Sequence, residues 1–307
     1  MTKKFKKNTK DNRYYLSNET AEEIGRELNE GGRYRLSKKE VRLLKKIIDT
    51  NTPKIMVYDI ETTRGLAEVW GTGKTYIGHT QMRTEQKILT VAWKWLGDDT
   101  VHYLKWDADD SPEGGDDREL MVKFLKEYNK ADVVIGWNSD NFDNKLVNTR
   151  ALKHRLYVNV YIKSMDAMKK AKQIFRQPSN SLAYYARFLG LGSKLQHTGL
   201  KMWQDIQWGA EVDAEEAMEL MIKYNVQDIM LTEEIYLLLR PYMKSNIHLG
   251  ALFSGDKTTC DNCGTHNLEL MKTTATARGT IQRVCKCKKC GSQQVLSNTN
   301  YLKSKME

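Results

Sequence analysis

No stretch of this 307-residue chain approaches the run of about 20 apolar residues that a membrane-spanning helix needs. The basic start, Met1-Thr2-Lys3-Lys4-Phe5-Lys6-Lys7, is not followed by the apolar stretch of a secretory signal. No cysteine lies outside residues 260–290, where all five cluster, which argues against a disulfide framework and for a metal site. A reducing, cytoplasmic setting follows as the expectation. The chain also lacks internal repeats and long low-complexity tracts. Gly71-Thr72-Gly73-Lys74-Thr75 misses the Gly-x-x-x-x-Gly-Lys-Ser/Thr spacing of a phosphate loop, which argues against nucleotide hydrolysis.

What is present is enough chain for one full α/β domain and a small appendage. Apolar residues make up 40% of it, as in a soluble globular protein. The net charge of +10 is unevenly spread. Residues 1–49 carry 14 Lys and Arg against 8 Asp and Glu, and residues 241–307 carry 10 against 4. Residues 50–240 carry 25 against 27, so the excess belongs to the flanks. Basic flanks attract phosphate backbones without reading sequence. The bland reading, ordinary solvated lysines, stays open.

Four segments are expected: a basic helical extension over 1–52, a main domain over 53–245, a small metal-stapled unit over 256–295, and a tail over 296–307. Residues 1–16 read as mobile. Ser17-Asn18-Glu19-Thr20 resembles a helix start leading into 21–28, and Ser37 with Glu40 forms a capping box for a helix to about Ile48. Strands are expected at 54–60, 88–96, 100–106, 132–136 and 160–165, with Trp93 and Trp95 marking a half-exposed face. Helices are expected at 118–129, at 143–156 and in several pieces up to Arg240. Strands first, then strand–helix alternation, imply a mixed five-stranded sheet flanked by helices.

Three short motifs carry four carboxylates. Asp59 and Glu61 stand two apart at a strand end, so both project to one side and can grip a metal together. Asp143 opens a helix, with Leu146, Val147 and Arg150 following on its face. Tyr224 and Asp228 are four apart, hence stacked on one helix face, where the phenol can hydrogen-bond and orient water. Carboxylates from a strand end and two later helices can converge on two hard divalent cations, the arrangement that clamps both oxygens of a phosphodiester. Each motif alone is weak. Together and in this order they point to cleavage of nucleic acid.

These residues resemble the DEDD superfamily of 3′–5′ exonucleases on the ribonuclease H-like fold. Tyr224-x-x-x-Asp228 is similar to its tyrosine-containing branch, and Gly136-Trp137-Asn138 with Phe142-Asp143 to the second motif of family B DNA polymerase proofreading domains. The resemblance spans roughly 54–240. Ser179-Asn180-Ser181-Leu182 and Thr198-Gly199-Leu200-Lys201-Met202-Trp203 resemble stand-alone, polymerase-related exonucleases of phages and bacteria. It implies that Asp59, Glu61, Asp143 and Asp228 hold two Mg²⁺ or Mn²⁺ ions and that Tyr224 orients water. It implies substrate contacts from Asn138, Phe142 and Thr62, with Phe142 stacking on the terminal base. Single-stranded or frayed ends would be the substrate, DNA favoured, and nucleoside 5′-monophosphates the product. Any polymerase or replication partner would be a separate protein, and the compartment would be the host cytoplasm if a phage encodes the chain. Alternatives are a non-catalytic binding or scaffold protein and an RNA-trimming exonuclease. Residues 63–87 read as a substrate-side loop, and Asp140 and Asp166 as supporting rather than metal-binding carboxylates.

Cys260-Asp261-Asn262-Cys263-Gly264 and Cys287-Lys288-Lys289-Cys290-Gly291 are two Cys-x-x-Cys knuckles separated by 23 residues. Four thiolates at this spacing fit one tetrahedral structural Zn²⁺ and resemble a zinc ribbon, with Cys285 left over. The metal would supply folding energy that so small a core cannot. Lys272, Arg278, Arg283, Lys286, Lys288 and Lys289 suit a phosphate grip, and docking to another protein is the alternative.

Overall fold

The computed structural model describes residues 53–71, 73–106, 115–192, 199–254 and 256–305, and the backbone alone of 5–8, 13–16 and 35–36; residues 253 and 254 are likewise described by backbone only. Two compact units divide the chain at Thr52/Pro53. In the first, strands β1 (Phe5–Asn8), β2 (Arg13–Leu16) and β3 (Arg35–Leu36) form an antiparallel sheet, with Phe5 opposite Leu16 and Tyr14 opposite Leu36. This corrects the expectation of a mobile start: Tyr14-Tyr15-Leu16 are good strand formers despite the surrounding charge. The two helices expected around 21–28 and 37–48 lie outside the described residues.

The second unit is built on a five-stranded sheet in the order β10-β9-β4-β7-β8. Its strands are β4 (Ile55–Thr62), β7 (Ile88–Trp95), β8 (His102–Lys105), β9 (Val133–Gly136) and β10 (Lys163–Asp166). β7 pairs antiparallel with both β4 and β8, whereas β4, β9 and β10 pair in parallel, so the sheet is mixed as expected. Helices cover both faces. Met56, Tyr58 and Ile60 of β4 pack with Met121, Phe124, Val147 and Ala151 from helices α1 (Arg118–Tyr128) and α2 (Asp143–His154). Ile55 and Val57 face the other way. They join Ala167 and Ala171 of α3 (Ala167–Ile174), Tyr185 of α4 (Leu182–Phe188), and Ile229 and Ile235 of α6 (Glu211–Leu239). The helix α5 (Leu200–Trp208) adds Met202 and Ile206 to a third cluster with Leu89 and Met221.

β7 departs from the expected half-exposed strand: it is buried from Ile88 through Lys94, Trp93 included. The cause is its interior place between β4 and β8, with helices on both faces. Even Lys94 is buried, neutralised by Glu233 of α6, whose other oxygen accepts the Gly97 amide at 2.7 Å. The loop between β4 and β7 carries the paired two- and three-residue strands β5 (Leu66–Ala67) and β6 (Met82–Thr84), with a single 3₁₀ turn at His79–Gln81 between them.

A three-stranded antiparallel sheet of β11 (Leu268–Ala275), β12 (Ile281–Cys287) and β13 (Gln293–Ser297) follows α7 (Leu249–Ser254), and α8 (Asn298–Lys303) follows it. The Cys-x-x-Cys turn ahead of β11 docks on the end of α6. The Tyr236 hydroxyl donates to Asn262 Oδ1 at 3.4 Å, and the Arg240 guanidinium donates to the Asn262 carbonyl.

Candidate active site

The pleat of β4 aims Asp59 and Glu61 to the same side as Ile55 and Val57, the side covered by α6. On that helix Tyr224, Asn225 and Asp228 lie within little more than one turn. The result is a group in which ligand oxygens of Asp59, Glu61 and Asp228 lie within 4.8 Å of one another. Asn225, buried, donates to Asp59 Oδ2 at 2.7 Å and holds the carboxylate against the helix. That neighbour was missed in the sequence; its position three residues before Asp228 on one helix face was the available signal.

Asp143 comes from the opposite layer. It sits in the first turn of α2, and its Oδ1 accepts the Ile60 amide at 3.1 Å, so the helix start is fastened to the end of β4. Burial pushes its carboxyl up to about 7, against the pull of two backbone amides, and the nearby Asp166 charge adds to the rise. Three close carboxylates with a fourth, desolvated one beside them cost free energy unless a cation or protons neutralise them. The donor set is all oxygen, which suits Mg²⁺ or Mn²⁺.

These residues open into a cleft of about 470 Å³ that Tyr224, Asn138 and Phe142 also line. Phe142 is 38% exposed, uncommon for a phenylalanine and suited to meeting a ligand ring. Thr62 does not line the cleft. One step beyond Glu61 in the pleat, it is buried, with its hydroxyl near Gln86 and its carbonyl accepting from the Trp203 indole at 3.1 Å. Trp137, Met168, Asn180, Ser181 and Leu182 line it without having been assigned as site residues. The Trp137 indole donates to the Asn180 carbonyl at 2.9 Å, tying the two halves of that wall.

The loop between β9 and α2 is shaped by exclusion. A Cβ at Gly136 would lie 2.6 Å from the Ser139 Cβ, so glycine is required there. Asn138 adopts φ 68°, a left-handed conformation asparagine tolerates. Asp166 then accepts from the Asn138 and Asp140 amides at 3.1 and 3.2 Å, and Asp140 bonds Ser164 and Lys169. Both carboxylates are thus supports of the loop, as their sequence reading has it. A second acidic group, Asp116, Asp117 and His154, is unsuited to a cation: the Arg150 guanidinium already bonds both Asp117 oxygens.

The four knuckle cysteines also converge, all Sγ atoms lying within 4.8 Å of one another. Cys260–Cys290 and Cys263–Cys287 are 3.7 and 3.6 Å apart, near the edge of about 3.8 Å that a tetrahedron with 2.3 Å zinc–sulfur bonds requires. The knuckles repeat each other. Gly264 and Gly291, at φ 71° and 74°, donate to the carbonyls of Cys260 and Cys287, and both bonds are 2.9 Å. The Asn262 and Cys290 amides approach sulfur at 3.4 and 3.5 Å. This cluster is compatible with a zinc ribbon. Cys285, buried in β12, stands outside it.

Residues 56–240 match the family model described as the RNase H superfamily. No curated protein is a significant match to the chain. Among solved structures, that of the family B DNA polymerase from the hyperthermophilic archaeon Pyrobaculum calidifontis is similar over 62% of this chain, at 17% identity and a TM-score of 0.45. The similarity covers 25% of the polymerase chain, so this chain spans about a quarter of its length. No helix among the described residues is long and apolar enough to cross a membrane.

Proposed function

The chain belongs to the RNase H superfamily, and we propose that within it the protein is a metal-dependent 3′–5′ exonuclease that trims single-stranded or frayed nucleic acid ends, DNA favoured. Family membership supports a nuclease-type function. The observation that carries the finer reading is the meeting of Asp59, Glu61 and Asp228 at a cleft that Asp143, Tyr224 and Phe142 also line.

Asp59, Glu61 and Asp228, with Asp143 beside them, would hold two Mg²⁺ or Mn²⁺ ions. Such ions supply Lewis-acid stabilisation of the attacking and leaving oxygens of a phosphodiester. The remaining work falls to the chain itself. Tyr224, one turn from Asp228, presents its phenol to the cleft, where it can accept or donate a hydrogen bond to a water and fix its approach. Phe142 offers a ring for the terminal base, and Asn138 an amide for sugar or phosphate. The product is a nucleoside 5′-monophosphate. Cys260, Cys263, Cys287 and Cys290 would bind one structural Zn²⁺, leaving no ligand position for catalysis.

The test is direct. Purified protein is incubated with 5′-labelled and 3′-labelled DNA and RNA strands, with and without Mg²⁺. A descending ladder from the 5′ label and immediate mononucleotide from the 3′ label are expected, only with metal. Cuts in a circular single strand would identify an endonuclease instead, and no cleavage of any strand would favour the binding or scaffold reading.

A further inference from the structure

Between Asp166 and Asp205 the chain contains no acidic residue, yet carries seven lysines and arginines. The interval includes α3 and α4, whose ends form one wall of the cleft through Met168, Ser181 and Leu182. A stretch so purged of negative charge beside a carboxylate centre suits a polyanion that must be brought there against repulsion. Lys172 stands one helical turn beyond Met168 and is exposed, so a cation continues the wall outward.

On α4 the wall continues as aromatic surface. Ser181, Tyr184 and Phe188 fall at i, i+3 and i+7, one stripe leading from the cleft towards solvent. The Tyr184 and Phe188 rings are within 9° of parallel with centroids 6.3 Å apart, and Phe188 is 58% exposed. The exposed Arg187 guanidinium lies 5.3 Å from the Tyr184 ring centre. Beneath the stripe, Tyr185 meets the cleft residue Trp137 edge-on at 5.1 Å, so the surface is anchored to the site. Aligned rings with a cation beside them are what stacked bases on a phosphate chain require.

We propose that the Ser181–Tyr184–Phe188 face of α4, with Arg187 at its border, is a stacking ramp for the nucleotides that precede the terminal one in a single strand. The ramp rests on the nuclease reading, and it deepens it: binding strength then depends on strand length. Continuity with the cleft and the one-signed charge select a single-stranded nucleic acid over a protein as occupant.

The experiment compares fluorescence-anisotropy affinities for labelled single strands of roughly 4 and roughly 20 nucleotides, in buffer without Mg²⁺ or Mn²⁺. Phe188→Ala should shrink the advantage of the long strand about tenfold, the effect of losing one stacked base. Phe188→Trp should keep the advantage and Phe188→Leu should not, since leucine is apolar but cannot stack. Arg187→Gln should flatten the salt dependence of long-strand binding. An unchanged long-to-short ratio in both Phe188→Ala and Phe188→Leu would overturn the ramp while leaving the nuclease reading intact. Failure of the unaltered protein to bind either strand would sink both.

Discussion

Asn225 Nδ2 donates a 2.7 Å hydrogen bond to Asp59 Oδ2, joining the third acidic motif to the first across the interface of α6 and β4. The other end of the amide is fixed too, since its Oδ1 lies 3.4 Å from the Thr90 hydroxyl. An amide held at both ends fixes which Asp59 oxygen faces the cleft. Groups that orient metal ligands in this way are worth about 10- to 100-fold in metal affinity or activity. Asn225→Ala is expected to raise the Mg²⁺ concentration needed for half-maximal cleavage by about that factor. It should also lower stability by about 1–3 kcal/mol through the unsatisfied buried partners. A metal titration of cleavage together with a urea melt checks both.

Direct loss of a proposed ligand should act differently. Asp59→Ala or Asp228→Ala should keep the fold and reduce cleavage to background, because each removes charge that would hold a catalytic cation. Circular dichroism and a labelled-strand assay separate the two effects. Near-normal cleavage in either variant would overturn the assignment of these carboxylates.

The acidic group was legible because its determinants are local. The two-residue spacing of Asp59 and Glu61 sets their common side, and the four-residue spacing of Tyr224 and Asp228 sets theirs. Asn225 was less so: its spacing before Asp228 marks the shared helix face, but nothing local marks the strand it will meet. Burial of β7 depended on which strands would flank it, a property of topology and not of Trp93 or Trp95. Thr62 falls outside the cleft lining because a pleat turns adjacent residues to opposite sides. In the N-terminal unit, lysines hid strands that Tyr14, Tyr15 and Leu16 support.

Asp143 supplies a pH signature. Its folded-state value, raised from 3.8 to about 7 chiefly by burial, lies above that of the unfolded chain. The folded protein then keeps a proton that the unfolded chain releases, so metal-free stability is highest below about pH 4 for this group and falls as pH climbs to about 7. The difference is on the order of a few kcal/mol. Asp143→Asn should remove this slope and make the metal-free protein more stable than the unaltered one at pH 8. Urea melts of both proteins across this pH range give the comparison, and a parallel slope in the two would show that Asp143 does not titrate this way.

Lys94 and Glu233 form the buried ion pair that carries β7 against α6. Removing one partner leaves a desolvated charge, so Lys94→Met or Glu233→Gln alone should cost about 3–5 kcal/mol. Lys94→Met combined with Glu233→Gln should cost less than the two single losses added together. A double-mutant cycle by thermal melting measures the coupling. Strict additivity would mean the two side chains are independent despite their contact.

The cysteine cluster can be separated from its bystander. Cys260, Cys263, Cys287 and Cys290 meet, whereas Cys285 is buried on β12 away from them. Metal analysis should therefore find one Zn²⁺ per chain, lost in Cys263→Ser and kept in Cys285→Ser. Because Tyr236 and Arg240 at the end of α6 bond Asn262 inside the first knuckle, metal loss should not stop at the ribbon. It should loosen the last turns of α6, seen as faster amide exchange around 232–243, while the turns carrying Tyr224 and Asp228 stay held by Asn225 and the sheet. The ribbon's exposed Lys272, Arg278, Lys286 and Lys289 would at the same time lose their fixed spacing. Binding of long strands should then weaken with a shallower salt dependence. An unchanged salt slope in Cys263→Ser would make the ribbon a docking module for another protein instead of a phosphate grip.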